Sequence, residues 1–266
     1  LPMLSEQARI ASILSGIDAL IQSTGEIIKK TERLKRGLMQ KLLTRGMGHT
    51  KFKKVSWMFG KEIEIPEEWN WEKLGENSIL KGRIGWQGLT TAEYLQKGKY
   101  FLVTGTDFKD GKIDWENCVY VTKQRFEQDL YIQLTKGDVL VTKDGTIGKI
   151  ACIDTLPKPA TLNSGVFVVR PLHEEYFPFF FFYVLNSVYF IKFLNRLKTG
   201  STINHLYQKD FVSFHFPIPP LPEQKRIASI LSGVDAYIQK NQEYKEKLEV
   251  IKKGLMQKLL TGQIRV

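Results

Sequence analysis

Three polar stretches concentrate the side chains that can read a nucleic acid. Lys81-Gly82-Arg83-Ile84-Gly85-Trp86-Gln87-Gly88 sets a guanidinium, a side-chain amide and an indole within one short segment. Arg and Lys suit guanine edges and Asn and Gln suit adenine edges, whereas Lys, Ser, Thr and the amides of glycine loops hold phosphate. Lys81, Arg83, Trp86 and Gln87 are the candidates here. Lys143-Asp144-Gly145-Thr146-Ile147-Gly148-Lys149 brackets a tight turn with two lysines, and offers Lys143, Thr146 and Lys149. Lys198 to His205 is the third stretch, with Lys198, Ser201, Thr202, Asn204 and His205. Asn163-Ser164-Gly165 is placed on the same face. Each stretch has a plainer reading beside this one. The first is a glycine hairpin with Trp86 packed inward, and the second an ordinary turn with solvated lysines. The third is a helix N-cap at Ser201 or Thr202 with His205 at the surface.

The other chemistries that such residues could serve lack their spacing. Gly145-Thr146-Ile147-Gly148-Lys149 superficially suggests a phosphate loop, but the Gly-x-x-x-x-Gly-Lys-Ser/Thr pattern is absent and Ile150 occupies the hydroxyl position. His49, His173, His205 and His215 have no i, i+4 partner and no clustered cysteines, so neither a metal nor a cofactor is expected. No Ser, His and Asp arrangement carries a local signature. The expected activity is binding, not catalysis.

The elements that must position these loops begin with a repeat. Leu4 to Gln22 reads LSEQARIASILSGIDALIQ, and 217 positions later Leu221 to Gln239 reads LPEQKRIASILSGVDAYIQ. The likeness continues without a gap through GLMQKLLT in both copies. Apolar or tolerable residues fall at Ile10, Ile13, Ile17, Leu20, Thr24, Ile27, Thr31, Leu34 and Leu38. In the second copy they fall at Ile227, Ile230, Val234, Tyr237, Asn241, Tyr244, Leu248, Ile251 and Leu255. Sustained steps of three and four predict a coiled-coil seam, with Asn241 opposite Thr24 or its neighbours. A helix of roughly 38 residues spans about 57 Å, which makes a rod. Ser5 and Pro222 suit the helix starts. Gly16, Gly37, Gly233 and Gly254 recur at matched places on one flank of the seam, each at a cost of about 1 kcal/mol against alanine. A flank stripped of side chains twice suits close approach by a partner; a tolerated kink is the alternative.

Between the copies the composition changes. Residues 49–73 mix charge with tryptophan and are broken by Pro66. From Leu74 to about Arg170, runs such as YFLVTG, CVYVT, DVLVT, KIACI and GVFVVR alternate with glycine turns, which predicts an antiparallel or mixed sheet. Glu174 to Leu197 is one or two buried helices whose phenylalanines are core. Pro217, Pro219, Pro220 and Pro222 stiffen the entry to the second copy. The chain is therefore α+β: residues 1–45 and 218–266 are the coiled-coil helices, and residues 46–217 form a globular sheet-and-helix domain.

A chain of 266 residues with 42% hydrophobic and 12% aromatic residues is not disordered. Cys118 and Cys152 lie in apolar runs, which reads as buried thiols in a reducing cytoplasm. No apolar stretch runs 18 residues without a charge, so no membrane partner is expected. The net charge of +11 calls for an anionic partner. Residues 46–217 carry 22 basic against 19 acidic side chains, so a nucleic-acid face there needs its cations gathered on one side. That near balance also fits a coiled-coil interaction scaffold whose middle domain binds protein.

The repeated helix motif PLPEQKRIASILSGVDAYI with its KKGLMQKLLTG tail, the IPEEW entry, the run GDVLVTKDGTIGKIACI and the loop GSTINHLYQKDF resemble the DNA-specificity subunit of type I restriction-modification enzymes over almost the whole chain. The resemblance implies an antiparallel coiled coil made by the two repeats and a target-recognition domain that reads one half of a split site on double-stranded DNA. It implies no catalytic activity. Methyltransferase subunits, and through them ATP-dependent restriction subunits, are the implied partners, and the three loops belong to the DNA-facing side. This sequence has one recognition domain where the family has two, and it starts inside the motif. That implies either the C-terminal portion of a longer subunit or a half-subunit completed by homodimerisation. A rod of about 57 Å corresponds to roughly 17 base pairs if 10 base pairs occupy about 34 Å, so a module at each end straddles an unread spacer.

Overall fold

A computed structural model describes residues 3–57, 60–85, 88–197 and 205–266. The chain divides into two compact units, one built from the helical segments up to Met39 and from Ser229 onward, the other from Gln40–Ala228.

Unit 1 is made by most of α1 (Leu4–Thr44) and, at the other end of the sequence, α7 (Leu221–Leu260). Both helices are long because no proline interrupts them past the first turn, and α1 carries Glu6 in its first turn and Lys41 in its last, matching the helix dipole. The helices run antiparallel: Glu6 pairs with Arg265, Asp18 with Lys252 and Lys35 with Asp235, one number falling as the other rises. The covered positions on α1 are Ile10, Leu14, Ile17, Ile21, Thr24, Ile28, Thr31, Lys35 and Leu38. On α7 they are Leu231, Val234, Ile238, Asn241, Lys245, Leu248, Lys252, Leu255 and Leu259. Steps of four and three alternate, as in a heptad seam.

Half of that seam differs from the sequence expectation. Ile10, Ile17, Thr24, Thr31 and Leu38 are inside, but Ile13, Leu20, Ile27 and Leu34 are not; they remain between 38% and 56% exposed. Tyr237, Tyr244 and Ile251 are outside as well. The next residue along replaces each of them: Leu14, Ile21, Ile28 and Lys35 on α1, and Ile238, Lys245 and Lys252 on α7. Lys35 and Lys252 are tolerated because their ammonium groups reach Asp235 and Asp18 at 2.5 Å. The polar seam residues bond within their own helices. Asn241 donates to its own helix at the Tyr237 carbonyl (2.8 Å), and Thr24 to that of Leu20 (2.7 Å).

Unit 2 takes in the last turn of α1 and the first two turns of α7. A hairpin of β1 (Phe52–Ser56) and β2 (Glu62–Pro66) comes first, followed by β3 (Asn70–Lys73), the one-turn α2 (Leu74–Asn77) and β4 (Ser78–Gly82). Next are β5 (Tyr100–Val103), the small pair β6 (Phe108–Lys109) and β7 (Lys112–Ile113), β8 (Val119–Val121) and α3 (Lys123–Glu127). Then come β9 (Val139–Thr142), β10 (Ile150–Cys152), β11 (Ala160–Leu162) and β12 (Val166–Pro171). The unit closes with α4 (Pro178–Leu185), α5 (Val188–Leu197), α6 (Gln208–Phe211) and β13 (His215–Ile218). One sheet has the order β10-β9-β12-β4 and is antiparallel; another has the order β11-β5-β8, with β11 parallel to β5. Phe101, Val103, Leu140, Ala160, Leu162 and Val168 join the two in one apolar core. A second, aromatic core gathers Phe180, Phe181 and Phe190 from the phenylalanine run with Phe211, Phe214 and Phe216 from beyond it, each almost fully buried, while Phe177, Phe179 and Phe182 of the run are only partly covered.

Both cysteines are buried free thiols, and burial pushes Cys152 up to about 12 and Cys118 higher still. Among the described residues no helix is long and apolar enough to cross a membrane.

Candidate nucleic-acid interface

Strand register brings the candidate loops together at one end of the four-stranded sheet. Gly82, the last residue of β4, sits opposite Phe167, and Thr142, the last of β9, opposite Val166. The segment after β4, the β9–β10 turn and the turn before β12 therefore leave the sheet at the same edge. The turns are also bonded to one another. Lys143 N donates to the Gly165 carbonyl (2.9 Å), and Asn163 N to that of Val103 at the end of β5 (2.9 Å). Leu206 N donates to the Lys143 carbonyl (2.8 Å), and Asp144 and His205 form a β-bridge. Gly82 is required here, because a side chain would meet Phe167 at 2.9 Å and the Val166 carbonyl at 3.1 Å.

The β9–β10 turn is rigid for a local reason. Buried Thr142 donates its hydroxyl to the Thr146 carbonyl (2.5 Å) and accepts from Lys149 N (2.9 Å), while Gly145 and Gly148 take positive φ of 66° and 84°. Thr146 and Lys149 are exposed at its tip. Lys143 is not: its side chain is only 12% exposed, its ammonium lying 5.3 Å above the Phe167 ring and 3.7 Å from Asp144. His205 is partly exposed beside it, its Nδ1 bonded to the Asp144 carboxylate and its ring 4.6 Å from that of Tyr207.

Arg83 departs from its sequence assignment. The side chain that looks like a guanine reader is 2% exposed. Its Nε donates to the Leu162 carbonyl (2.8 Å), Nη1 to Gln128 Oε1 (3.3 Å) and Nη2 to Thr161 Oγ1 (3.2 Å). Burial, and after it the neighbouring Arg125, lowers its pKa from the ordinary arginine value. The guanidinium bonds to the polar groups of β11 and props the loop from inside, so burial and these bonds turn it away from a base. Lys81 is exposed on β4, its ammonium 5.1 Å above the Tyr131 ring. Trp86, Gln87, Lys198, Ser201, Thr202 and Asn204 lie outside the described residues.

The structure adds one loop that the sequence reading passed over. Thr104-Gly105-Thr106-Asp107 follows β5 to the same edge, where a Cβ on Gly105 would stand 3.1 Å from Thr142 Cγ2. Asp107 holds the turn by accepting from Thr104 N (2.7 Å) and Thr104 Oγ1 (3.0 Å), which leaves Thr106 exposed. Burial raises the Asp107 pKa in spite of those bonds. Thr135 and Asp138 make the same Thr-x-x-Asp turn elsewhere, so the repeated spacing was a usable signal. Asn163 meets this loop system through Tyr94, whose hydroxyl accepts from Asn163 Nδ2 (2.5 Å).

On unit 1 the four matched glycines face open space: a Cβ built on Gly16, Gly37, Gly233 or Gly254 meets nothing within 4 Å. Among the described residues no group of His, Cys, Asp and Glu is arranged to hold a metal ion. The arrangement on unit 2 is one of exposed hydroxyls, loop amides, a lysine and an imidazole at a common edge. These are the groups that bind phosphates and base edges.

Comparison with known proteins extends this reading. The chain is 34% identical over 276 residues to the type I restriction enzyme MjaVIII specificity subunit of Methanocaldococcus jannaschii, covering 100% of this chain and 62% of that protein. It is 32% identical over 268 residues to the putative MjaX specificity subunit of the same organism, covering 59% of it. The chain thus spans about three fifths of the length of these relatives. Among solved structures, the HsdS subunit from Thermoanaerobacter tengcongensis superposes with a TM-score of 0.60 at 18% identity, over 99% of this chain and 60% of that one. The type I restriction-modification S subunit from M. genitalium gives 0.59 at 18% identity, over 96% and 61%. These two likenesses concern the fold. The family model described as type I restriction modification DNA specificity domain matches residues 66–250, a span that takes in every turn of the sheet edge described above, and the chain belongs to that family.

Proposed function

We propose that unit 2 reads one half of a bipartite site on double-stranded DNA, and that unit 1 carries the surface on which methyltransferase subunits, and through them restriction subunits, assemble. The convergence of the turns after β4, β5 and β9 and before β12 on one sheet edge is the observation that carries the DNA reading. Among the described residues Lys149, Thr146 and Thr106 are exposed polar groups of that edge and His205 is partly exposed, while Arg83 and Lys143 support it from within. The chain itself is a non-catalytic targeting subunit acting in the cytoplasm.

The assembly surface follows from the heptad. Ile13 immediately precedes the seam residue Leu14, and Gly16 immediately precedes Ile17. At 3.6 residues per turn these two positions lie about 60° apart on the same flank. Leu20, Ile27 and Leu34 continue the apolar column on α1, with Tyr237, Tyr244 and Ile251 on α7, and Gly37, Gly233 and Gly254 repeat the bare one. In an antiparallel pair the like flanks of the two helices fall on the same side, so the columns make one exposed apolar face bordered by glycine. Such a face suits a partner helix packed at close range.

The repeat also supports a second recognition module. Where the second copy has Glu223, Gln224 and Ala228, unit 2 largely covers the first and buries the other two; its Leu43 is fully buried. The identical residues of the other pairing are Glu6, Gln7, Ala11 and Leu260. There the Glu6 carboxylate is met by the exposed Arg265, and Leu260 is 64% exposed. A second module fits this end, and a homodimer of the chain supplies one; the mass of the protein in solution tests that part.

The main test is a domain exchange. In a reconstituted methyltransferase complex, replacing residues 46–217 by the corresponding segment of a relative changes the methylated and footprinted half-site and leaves the other half unchanged. An unaltered sequence after the exchange would make unit 2 a protein-binding scaffold instead.

A further inference from the structure

We propose that Asp144 and His205 act as one reading unit, the carboxylate fixing the tautomer of the imidazole so that His205 presents Nε2 to the DNA. This rests on the assignment of the sheet edge as the DNA-reading face.

The pair is built into the fold on both sides. Asp144 sits on the β9–β10 turn, which Thr142 clamps through the Thr146 carbonyl and the Lys149 amide. His205 is tied to that turn by the β-bridge to Asp144 and by the Leu206 N–H donated to the Lys143 carbonyl at 2.8 Å. The backbone thus places the imidazole against the carboxylate, and the side-chain contact between Nδ1 and Asp144 Oδ1 follows. An ionised carboxylate only accepts, so Nδ1 must carry the proton. The other ring nitrogen is then free of tautomeric choice, and the ring is partly exposed at the loop edge.

The surroundings leave His205 in that role. Lys143 approaches the second Asp144 oxygen at 3.7 Å from beneath, its stem covered and its ammonium over Phe167. It holds the carboxylate from the protein side. Tyr207 lies against the His205 ring at 4.6 Å, with Lys209 5.6 Å above its own ring. Among the described residues, Lys143, Tyr207 and Lys209 are the charged and titratable groups recorded around the pair. With Nδ1 protonated, neutral His205 offers Nε2 as an acceptor for a base amino group, and protonated His205 offers it as a donor to a guanine edge or a phosphate. Without Asp144 both tautomers are open, and a fixed pattern of donor and acceptor is lost. Asp144 is in this account a positioning residue, and His205 the group that touches DNA.

A double-mutant cycle on the full chain in its methyltransferase complex tests the pair, with binding measured to the methylated half-site sequence and to single-base variants of it. His205→Ala and Asp144→Ala each lower the preference for the correct sequence by about tenfold or more, the range of one good base contact. The double variant is no worse than either single one, because the two act together. Asp144→Asn keeps the preference within about threefold, since its carbonyl oxygen still accepts from Nδ1. Long-range proton–nitrogen spectra of His205 in the isolated chain show the Nδ1–H form in the wild type and in Asp144→Asn, and a mixture in Asp144→Ala. Additive losses, an unchanged preference in His205→Ala, or a wild-type imidazole in the Nε2–H form would overturn the pairing while leaving DNA reading by the rest of the edge intact. A wild-type complex without sequence preference would instead remove the DNA reading itself.

Discussion

Glu223 accepts the indole N–H of Trp69 at 2.9 Å, and the same carboxylate takes Met47 N at 2.9 Å and His49 Nε2 at 2.9 and 3.0 Å. The acid stands in the first turn of α7, where the helix dipole favours it, and its three partners come from the chain after α1 and from the IPEEW segment. Gly46, at φ of 63°, is crowded by this cluster: a Cβ there would meet Glu223, Trp69 and His49 within 2.7 Å.

Glu223→Ala leaves buried donors, Trp69 Nε1 among them, without an acceptor. Loss of such charge-assisted bonds costs about 2–4 kcal/mol. Urea unfolding of unit 2 followed by tryptophan fluorescence checks it. Glu223→Gln, which keeps one acceptor oxygen, loses less than half as much, and equal losses in the two variants would show that the charge and not the geometry matters.

Arg83→Ala should behave as a core variant. Removing the guanidinium strands the Leu162 carbonyl and Thr161 in the interior, at a cost of about 3 kcal/mol. Arg83→Lys restores little, because one ammonium cannot reach three acceptors fixed in the plane of a guanidinium. Thermal unfolding separates this from a DNA contact: a contact residue loses affinity while the melting temperature stays put.

Lys149→Ala is the opposite case. Its exposed ammonium, on a turn held by Thr142 through backbone atoms, contributes charge and not structure. The plot of log affinity against log salt becomes shallower by about one unit, similarly for every DNA sequence, with unfolding unchanged within about 0.5 kcal/mol. Titrations of the complex at four salt concentrations give the slope.

How far these features could be read from the sequence varies with how many alternatives the residues left open. The repeat gave the helix pair because a heptad persists over whole helices. It could not choose between Ile13 and Leu14, Leu20 and Ile21, or Ile27 and Ile28, because both neighbours are apolar and either column closes a seam. Leu34 beside Lys35 and Ile251 beside Lys252 did differ in type, and they pointed the wrong way, since the compensating Asp235 and Asp18 are distant in sequence. Composition alone identified the loops as polar and glycine-rich, and strand register brought them to one edge. Arg83 was misjudged for the same reason. Its partners Leu162, Thr161 and Gln128 are 45 to 79 residues away, and no local pattern announces them. The Thr104–Asp107 turn, by contrast, shares its spacing with Thr135–Asp138 and was legible.

Leu20→Asp combined with Tyr244→Asp places two charges on the exposed apolar face without entering the seam. The helix pair keeps its circular dichroism, while association with methyltransferase subunits falls by at least about tenfold, as expected when charge is buried in an apolar contact. The glycines on the same face give the sharper test. Gly233→Ala fills space that is empty in the chain, so the helix gains about 0.5–1 kcal/mol. Gly233→Leu also fits the isolated helix, yet its bulk holds a partner away from a surface meant for close approach. A variant that is as stable as the wild type and assembles poorly identifies the face, whereas normal assembly of both Gly233→Leu and the double aspartate places the methyltransferase contact elsewhere on the pair.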